Sequence, residues 1–287
     1  MRNMTENEIT AEVLKQFENT HNPRVKQIVT SLVSHLHAFV REVELTEEEW
    51  FESITFLTET GQKCTDTRQE FILLSDTIGV SMLVDLLNHR KPDGATESTV
   101  FGPFYTAGAP EMESGGNIAR KDAGPACVVS GRVTDLDGKP IKDALLDVWQ
   151  TSSNGFYDSQ DPSQPAFNMR GKFRADENGN YCIQTAVPVS YPIPVDGPVG
   201  KMLSLTGRHP NRPAHIHFIV SAEGFEPVTT HLFDETDPYI DSDAVFGVKN
   251  SLLCKFVRHE AEEEAAKHNV SAPFYTLEYD FVLVPTK

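Results

Sequence analysis

The sequence contains no apolar run of the 18 or so residues that a membrane-spanning helix requires. Its first residues, Met1-Arg-Asn-Met-Thr-Glu-Asn-Glu8, lack the apolar core of an export signal. Cysteine is sparse. Cys64, Cys127, Cys182 and Cys254 lie far apart, with no C-x-x-C pair and no disulfide-dense spacing. Positive charge is also short, 25 Lys and Arg against 42 Asp and Glu, which leaves a formal net charge of −17. That balance argues against nucleic acid or an anionic membrane as partner. The expectation is a cytoplasmic protein with reduced thiols and no membrane span, and its 287 residues are enough for one large domain or two smaller ones.

What is present changes character along the chain. Residues 5 to about 90 carry helical punctuation. Val25, Ile28, Val29, Leu32, Leu36, Phe39 and Val40 form a helical stripe, and Thr46-Glu-Glu-Glu49 is a capping-box pattern ahead of Trp50, Ile54 and Leu57. Phe71 to Leu87 is apolar almost all round, which predicts one helix buried among others or against a partner chain. Lys91-Pro-Asp-Gly94 then ends the helical section.

From about Ala126 the apolar period becomes two. Cys127–Thr134, Ala144–Trp149, Gly171–Ala175 and Asn180–Gln184 read as strands, joined by turns such as Asp135-Leu-Asp-Gly138 and Asp176-Glu-Asn-Gly179. Tyr275, Leu277, Tyr279, Phe281 and Leu283 alternate with more polar neighbours, as in a half-buried strand. The predicted fold is mainly β, an antiparallel β-sandwich over residues 106–287 preceded by a helical N-terminal region over residues 1–105.

Two His-x-His pairs separate on this reading. His215-Ile-His217 follows Arg212-Pro-Ala and runs into Phe218-Ile-Val220, a strand pattern with Pro213 at its entry. Alternate strand residues share a face, so the two imidazoles project together from Cα atoms roughly 7 Å apart and can meet one metal ion. They also fit a pair of satisfied histidines on a half-buried sheet face. His35-Leu-His37 has the same spacing on a helix, where i and i+2 differ by about 200°, so those rings diverge.

Two imidazoles leave a metal site incomplete. With no Cys near the motif, zinc and blue copper are disfavoured. Tyr157 and Tyr191 stand in segments rich in glycine, proline and turn residues. A phenol with pKa near 10 ligates as phenolate only to a strong Lewis acid such as ferric iron. Taken singly, each tyrosine reads more readily as an amphipathic packing residue than as a ligand.

Four segments carry a resemblance. Thr99-Val-Phe-Gly-Pro-Phe-Tyr105, Asp147-Val-Trp-Gln-Thr-Ser-Ser-Asn-Gly-Phe-Tyr157, Tyr191-Pro-Ile-Pro194 and Arg212-Pro-Ala-His-Ile-His-Phe218 together resemble the intradiol ring-cleavage dioxygenases, in that family's order and approximate spacing. The likeness covers nearly the whole chain. It implies one non-haem Fe(III) per chain, held by Tyr157, Tyr191, His215 and His217. It also implies that Arg212 sits beside the substrate ring and that Tyr191 takes up a proton as the diol binds. The implied reaction is O₂-dependent opening of a small aromatic diol or triol to a muconate-type diacid, part of aromatic catabolism.

Thr230–Lys249, above all Ser242-Asp-Ala-Val-Phe-Gly-Val248, resembles the hydroxyquinol branch, with catechol or a substituted catechol as the other substrate. On the same resemblance Asp76, Val100, Phe101, Gly102, Pro103, Phe104, Ile193, Pro194 and Val245 line the substrate pocket. Asp76 is the only charge between Phe71 and Val84, and a buried acid needs a partner, either a third substrate hydroxyl or an N–H or arginine of the protein. Val100, Phe101 and Phe104 fit an inter-domain core equally well. His209 and His231 match none of the four ligand positions and are expected around the site or at the surface. The helical N-terminal region resembles the family's dimer-forming linker, which implies a homodimer with a phospholipid held between subunits. A transthyretin-like binding module and a zinc hydrolase are the readings outside this family. The first needs neither the tyrosines nor His-x-His, and the second lacks an H-E-x-x-H motif.

Overall fold

The structure is a computed structural model that describes residues 4–66, 68–121 and 124–286. Its contacts divide the chain into two compact units, Met1–Glu59 and Thr60–Lys287.

The first unit is helical, with α1 (Ile9–Lys15), α2 (Pro23–Glu42) and most of α3 (Glu47–Gln62). The starts of α2 and α3 have a chemical cause. The Asn22 side chain accepts the amides of Arg24 at 2.9 Å and Val25 at 3.1 Å, and Pro23, which has no N–H to satisfy, opens α2. The capping box forms as the sequence predicts: the Thr46 amide donates to Glu49 Oε2 at 2.9 Å and the Glu49 amide to Thr46 Oγ1 at 3.3 Å. The stripe on α2 stays open, with Ile28, Leu32, Leu36 and Phe39 each more than half exposed. His35 and His37 lie on this helix, and His37 Nδ1 pairs with Thr10 Oγ1 at 3.0 Å.

The second unit begins with α4 (Glu70–Thr77) and α5 (Val80–Asn88). The single helix expected from Phe71 to Leu87 is therefore two. Gly79, at φ +76°, takes a left-handed conformation that a side-chain-bearing residue rarely adopts, and it redirects the chain. The all-round burial expected of that helix is also absent. Leu73, Asp76, Met82 and Asp85 face inward, while Phe71, Ile72, Leu83, Val84, Leu86 and Leu87 remain exposed. Among the described residues no helix is long and apolar enough to cross a membrane.

The β elements are β1 (Ala126–Asp135), β2 (Leu145–Trp149), β3 (Arg170–Arg174), β4 (Asn180–Ala186), β5 (Tyr191–Pro192), β6 (Asn211–Arg212), β7 (His215–Ser221) and β8 (Val228–Asp234). They continue with β9 (Leu253–Cys254), β10 (Val257–His259), β11 (Phe274–Glu278) and β12 (Phe281–Leu283). Helices α6 (Pro198–Leu205) and α7 (Glu262–Lys267) interrupt the series. One five-stranded sheet runs β10-β11-β1-β12, with β4 also on β1; the other runs β3-β2-β7-β8-β9; β5 and β6 form a separate pair. Val129, Ile183, Leu277 and Phe281 from the first sheet and Leu146, Phe173, Ile216, Phe218 and Val220 from the second share one buried core. This is the expected sandwich, but with mixed sheets. Strands β11 and β12 run parallel to β1, and β9 runs parallel to β8.

The alternating segment at the C-terminus is two strands because of Gly131. A Cβ there would lie 1.9 Å from the Tyr279 carbonyl oxygen, so the chain bows around this point. The Asp280 side chain then accepts the Arg132 amide at 2.7 Å, standing in for a ladder bond.

Candidate active site

Strand register builds the site. Trp149 on β2 pairs with His217 on β7, and His217 pairs with His231 on β8, so three rings stand side by side across one sheet face. Ile216, Phe218 and Val220 point the other way, into the sandwich core. Strand pairing holds His215 and His217 on the same outer face, where loops cover them completely.

Those loops bring in the phenols. Tyr157 Oη lies 2.9 Å from Tyr191 Oη and 2.9 Å from His217 Nε2, and the two imidazole Nε2 atoms are 3.1 Å apart. Trp149 stacks on His217 at 4.6 Å and 13°, and Phe104 stacks on Tyr157 at 4.8 Å. Gly102, at φ +77°, lets the 99–105 segment turn close over the site. A Cβ there would meet His217 Cε1 at 3.4 Å.

The protonation pattern follows from burial. The Pro213 carbonyl only accepts, so His215 Nδ1, 2.7 Å away, must carry the proton. Its Nε2 lone pair then points into the cluster. Desolvation, reinforced by Arg212, pushes His215 down to about 3, and desolvation with the neighbouring His231 holds His217 well below the usual range. Both rings are neutral, as metal ligands must be. Desolvation also raises Tyr157 well above 10, with Tyr191 adding to the effect, and raises Tyr191. Two neutral imidazole nitrogens and two phenol oxygens thus converge, with the Arg212 guanidinium at the edge of the cluster beside His215. That donor set fits a hard, strongly Lewis-acidic metal ion, whose charge would stabilise the phenolates.

Arg212 is fully buried beside the cluster. Its Nε and Nη2 donate to the two Asp243 oxygens at 3.1 and 3.3 Å, Nη1 reaches His215 Nε2 at 3.2 Å, and Nη2 reaches His231 Nδ1 at 3.3 Å. Asp243 also accepts the Gly247 amide at 2.9 Å. Its carboxyl stays below the usual range because the Arg212 charge and its hydrogen bonds outweigh desolvation.

A narrow cleft opens onto this cluster, lined by Leu73, Asp76, Val100, Gly102, Pro103, Phe104, Tyr157, Tyr191, Ile193, Arg212, His217 and Val245. Eight of the expected substrate contacts therefore face one space. Phe101 and Pro194 do not. The turn at Gly102 swings Phe101 outward onto Tyr105 and Trp149, at 5.1 and 6.0 Å, leaving it 46% exposed, and Pro194 is half-buried outside the cleft. Asp76 is 3% exposed, and desolvation raises its pKa, opposed by Ser81 and Arg212.

Sequence reasoning missed two parts of this site, the partner of Arg212 and the platform under His217. Asp243 lay within a segment already singled out, yet nothing in the sequence pairs it with Arg212, 31 positions away. His231, expected around the site or at the surface, is wholly buried and stands against Arg212. With His215 and His217 it forms a histidine cluster whose ligand atoms lie within 4.8 Å of one another. His209, by contrast, packs against Tyr239 at 5.0 Å away from the cluster. Trp149, the platform under His217, was legible only as a strand residue.

The two parts of the chain match known families, residues 22–96 the catechol dioxygenase N terminus and residues 100–285 the dioxygenase family proper. The protein belongs to the intradiol ring-cleavage dioxygenases, which are non-haem iron enzymes. Within that family it is 52% identical to a hydroxyquinol 1,2-dioxygenase of Rhizobium sp. (strain MTP-10005), over 94% of this chain and 92% of that one. It is 47% identical to the 6-chlorohydroxyquinol 1,2-dioxygenase of Cupriavidus pinatubonensis over 100% of both. The crystal structure of hydroxyquinol 1,2-dioxygenase from Pseudomonas putida DLL-E4 superposes with a TM-score of 0.92 at 54% identity, covering 98% of this chain and 99% of that one.

Proposed function

We propose that the protein cleaves hydroxyquinol, 1,2,4-trihydroxybenzene, between its vicinal hydroxyls, incorporating O₂ to give hydroxymuconate and its tautomer maleylacetate. The observation that carries this reading is Asp76, a buried acid on the wall of the cleft that contains Tyr157, Tyr191 and His217. A catechol needs no polar partner there, whereas a third ring hydroxyl does. The names of the most similar relatives support the same substrate class.

In this reading Tyr157, Tyr191, His215 and His217 hold one Fe(III) per chain. When bound, ferric iron acts as a Lewis acid on the diol and as a template that orients it. His215 is fixed as the Nδ1-H tautomer by Pro213, which leaves the Nε2 lone pair unprotonated, as a ligand atom must be. Tyr191 Oη, at the cleft wall, takes the proton released when a substrate hydroxyl ionises. Arg212 supplies a permanent cation beside the ring, where negative charge develops, and Asp243 and His231 fix its orientation. Asp76 accepts a hydrogen bond from the third hydroxyl. Val100, Phe104, Ile193 and Val245 exclude water from the ring.

The helical region over residues 1–105 is proposed to carry a homodimer interface, with a phospholipid between subunits. The open stripe of Ile28, Leu32, Leu36 and Phe39 supports this, since contiguous apolar surface of that extent marks an interface. The deciding experiment is O₂ uptake by the purified protein with hydroxyquinol and catechol supplied separately. Faster turnover of hydroxyquinol is expected. A preference for catechol would overturn the substrate while leaving the reaction class intact.

A further inference from the structure

Tyr157 is flanked by a charge pair, a buried arginine and a largely covered aspartate, that none of the roles above uses. Arg170 opens β3 and is 1% exposed. Its Nε donates to Asp158 Oδ1 at 2.6 Å, and its guanidinium carbon stands 5.6 Å from the centre of the Tyr157 ring. Asp158 is itself held in place, since its other oxygen accepts the Phe167 amide at 2.8 Å. Strand register sets Arg170 directly opposite Trp149, the residue that stacks on His217.

The guanidinium makes only part of its possible hydrogen bonds, through Nε. Among the described residues, buried Nη1 and Nη2 find no partner, an arrangement more costly than an apolar side chain of the same length. What the position does supply is a permanent cation against the face of one aromatic ring, at cation–π range and shielded from water. Its field acts on both cluster members it approaches. It favours negative charge on the Tyr157 oxygen and the neutral form of the His217 ring.

We propose that Arg170, held by Asp158, is a positioning residue that sets how strongly the Tyr157 phenolate donates electrons to the metal. This rests on Tyr157 being a ligand to ferric iron. A nearby cation lowers the energy of the phenolate's donor electrons, so moving charge from phenolate to Fe(III) takes more energy. A nearby carboxylate does the opposite. The two members of the pair therefore have opposite effects on one spectroscopic band, which a merely structural loosening cannot imitate.

The test is the visible absorption of the iron-loaded full chain, read together with iron per chain. Arg170→Met should shift the phenolate-to-iron band to longer wavelength and Asp158→Asn to shorter wavelength, while Arg170→Lys stays close to wild type. Asp158→Asn keeps an amide oxygen that can accept from Arg170 Nε, so it carries the test even where Arg170→Met fails to fold. Bands that stay put in both, or move in the same direction, overturn the proposal. A colourless wild-type protein with no iron overturns the ligand assignment of Tyr157 instead, so the two failures are told apart.

Discussion

Arg212 and Asp243, 31 residues apart in the chain, meet in a two-point ion pair with neither side chain more than 4% exposed. The pair links β6, just ahead of the histidine strand, to the segment that contributes Val245 to the cleft. Removing one partner strands the other charge in a dry interior, at a cost of about 3–5 kcal/mol. Asp243→Ala should therefore lower the midpoint of thermal unfolding sharply, and it should raise KM for the diol because Arg212 loses its anchor. An unchanged midpoint would mean that the pair contributes nothing to the fold.

Tyr157→Phe keeps the ring between Phe104 and Arg170 but removes the oxygen that lies 2.9 Å from both Tyr191 and His217. Visible colour and activity should both fall sharply, measured by absorbance and O₂ uptake. A spectrum like that of the wild type would remove Tyr157 from the ligand set.

Asp76→Ala should reduce turnover efficiency with hydroxyquinol more than with catechol, with iron content intact. One unpaired buried polar group costs about 1–3 kcal/mol, or roughly 5- to 150-fold in relative specificity. Equal losses on both substrates would make Asp76 a structural acid, satisfied by Ser81 and Arg212.

The histidines outside the proposed ligand set give a direct comparison. His231→Leu should keep its iron and lose turnover, because His231 contacts Arg212 and is not a ligand in this reading. His35→Ala and His37→Ala on α2 should alter neither iron nor activity. Elemental analysis decides each case, and loss of iron from the His231 variant would make that ring a ligand.

Leu32 sits 55% exposed in the middle of the α2 stripe. Leu32→Glu should convert a dimer to a monomer in sedimentation, and should release any lipid that organic extraction recovers from the wild type. A dimer that survives the change places the interface elsewhere.

The capping box at Thr46, the strand that carries His215 and His217, and the divergence of His35 and His37 on a helix were all legible from spacing. Each depends on the period of one local element, 3.6 or 2 residues per repeat, and needs no partner segment. The boundary at Gly79 was harder to read, because a left-handed residue is a backbone choice made by the packing on either side. The two-stranded C-terminus was likewise decided by the approach of Tyr279 to Gly131, on a neighbouring strand.

By itself the sequence determined that two imidazoles would share a face, and the order of its motifs pointed to Tyr157 and Tyr191 as their companions. Tertiary structure alone decided that Trp149 and His231 flank His217 and that Asp243 anchors Arg212. It also decided that Arg170 stands against Tyr157, and that Phe101 turns away from the cleft that Val100 and Gly102 line. The reason is physical. A buried charge or polar ring must be satisfied by whatever segment folding brings to it, and strand register across the sheet, not distance along the chain, selects that segment.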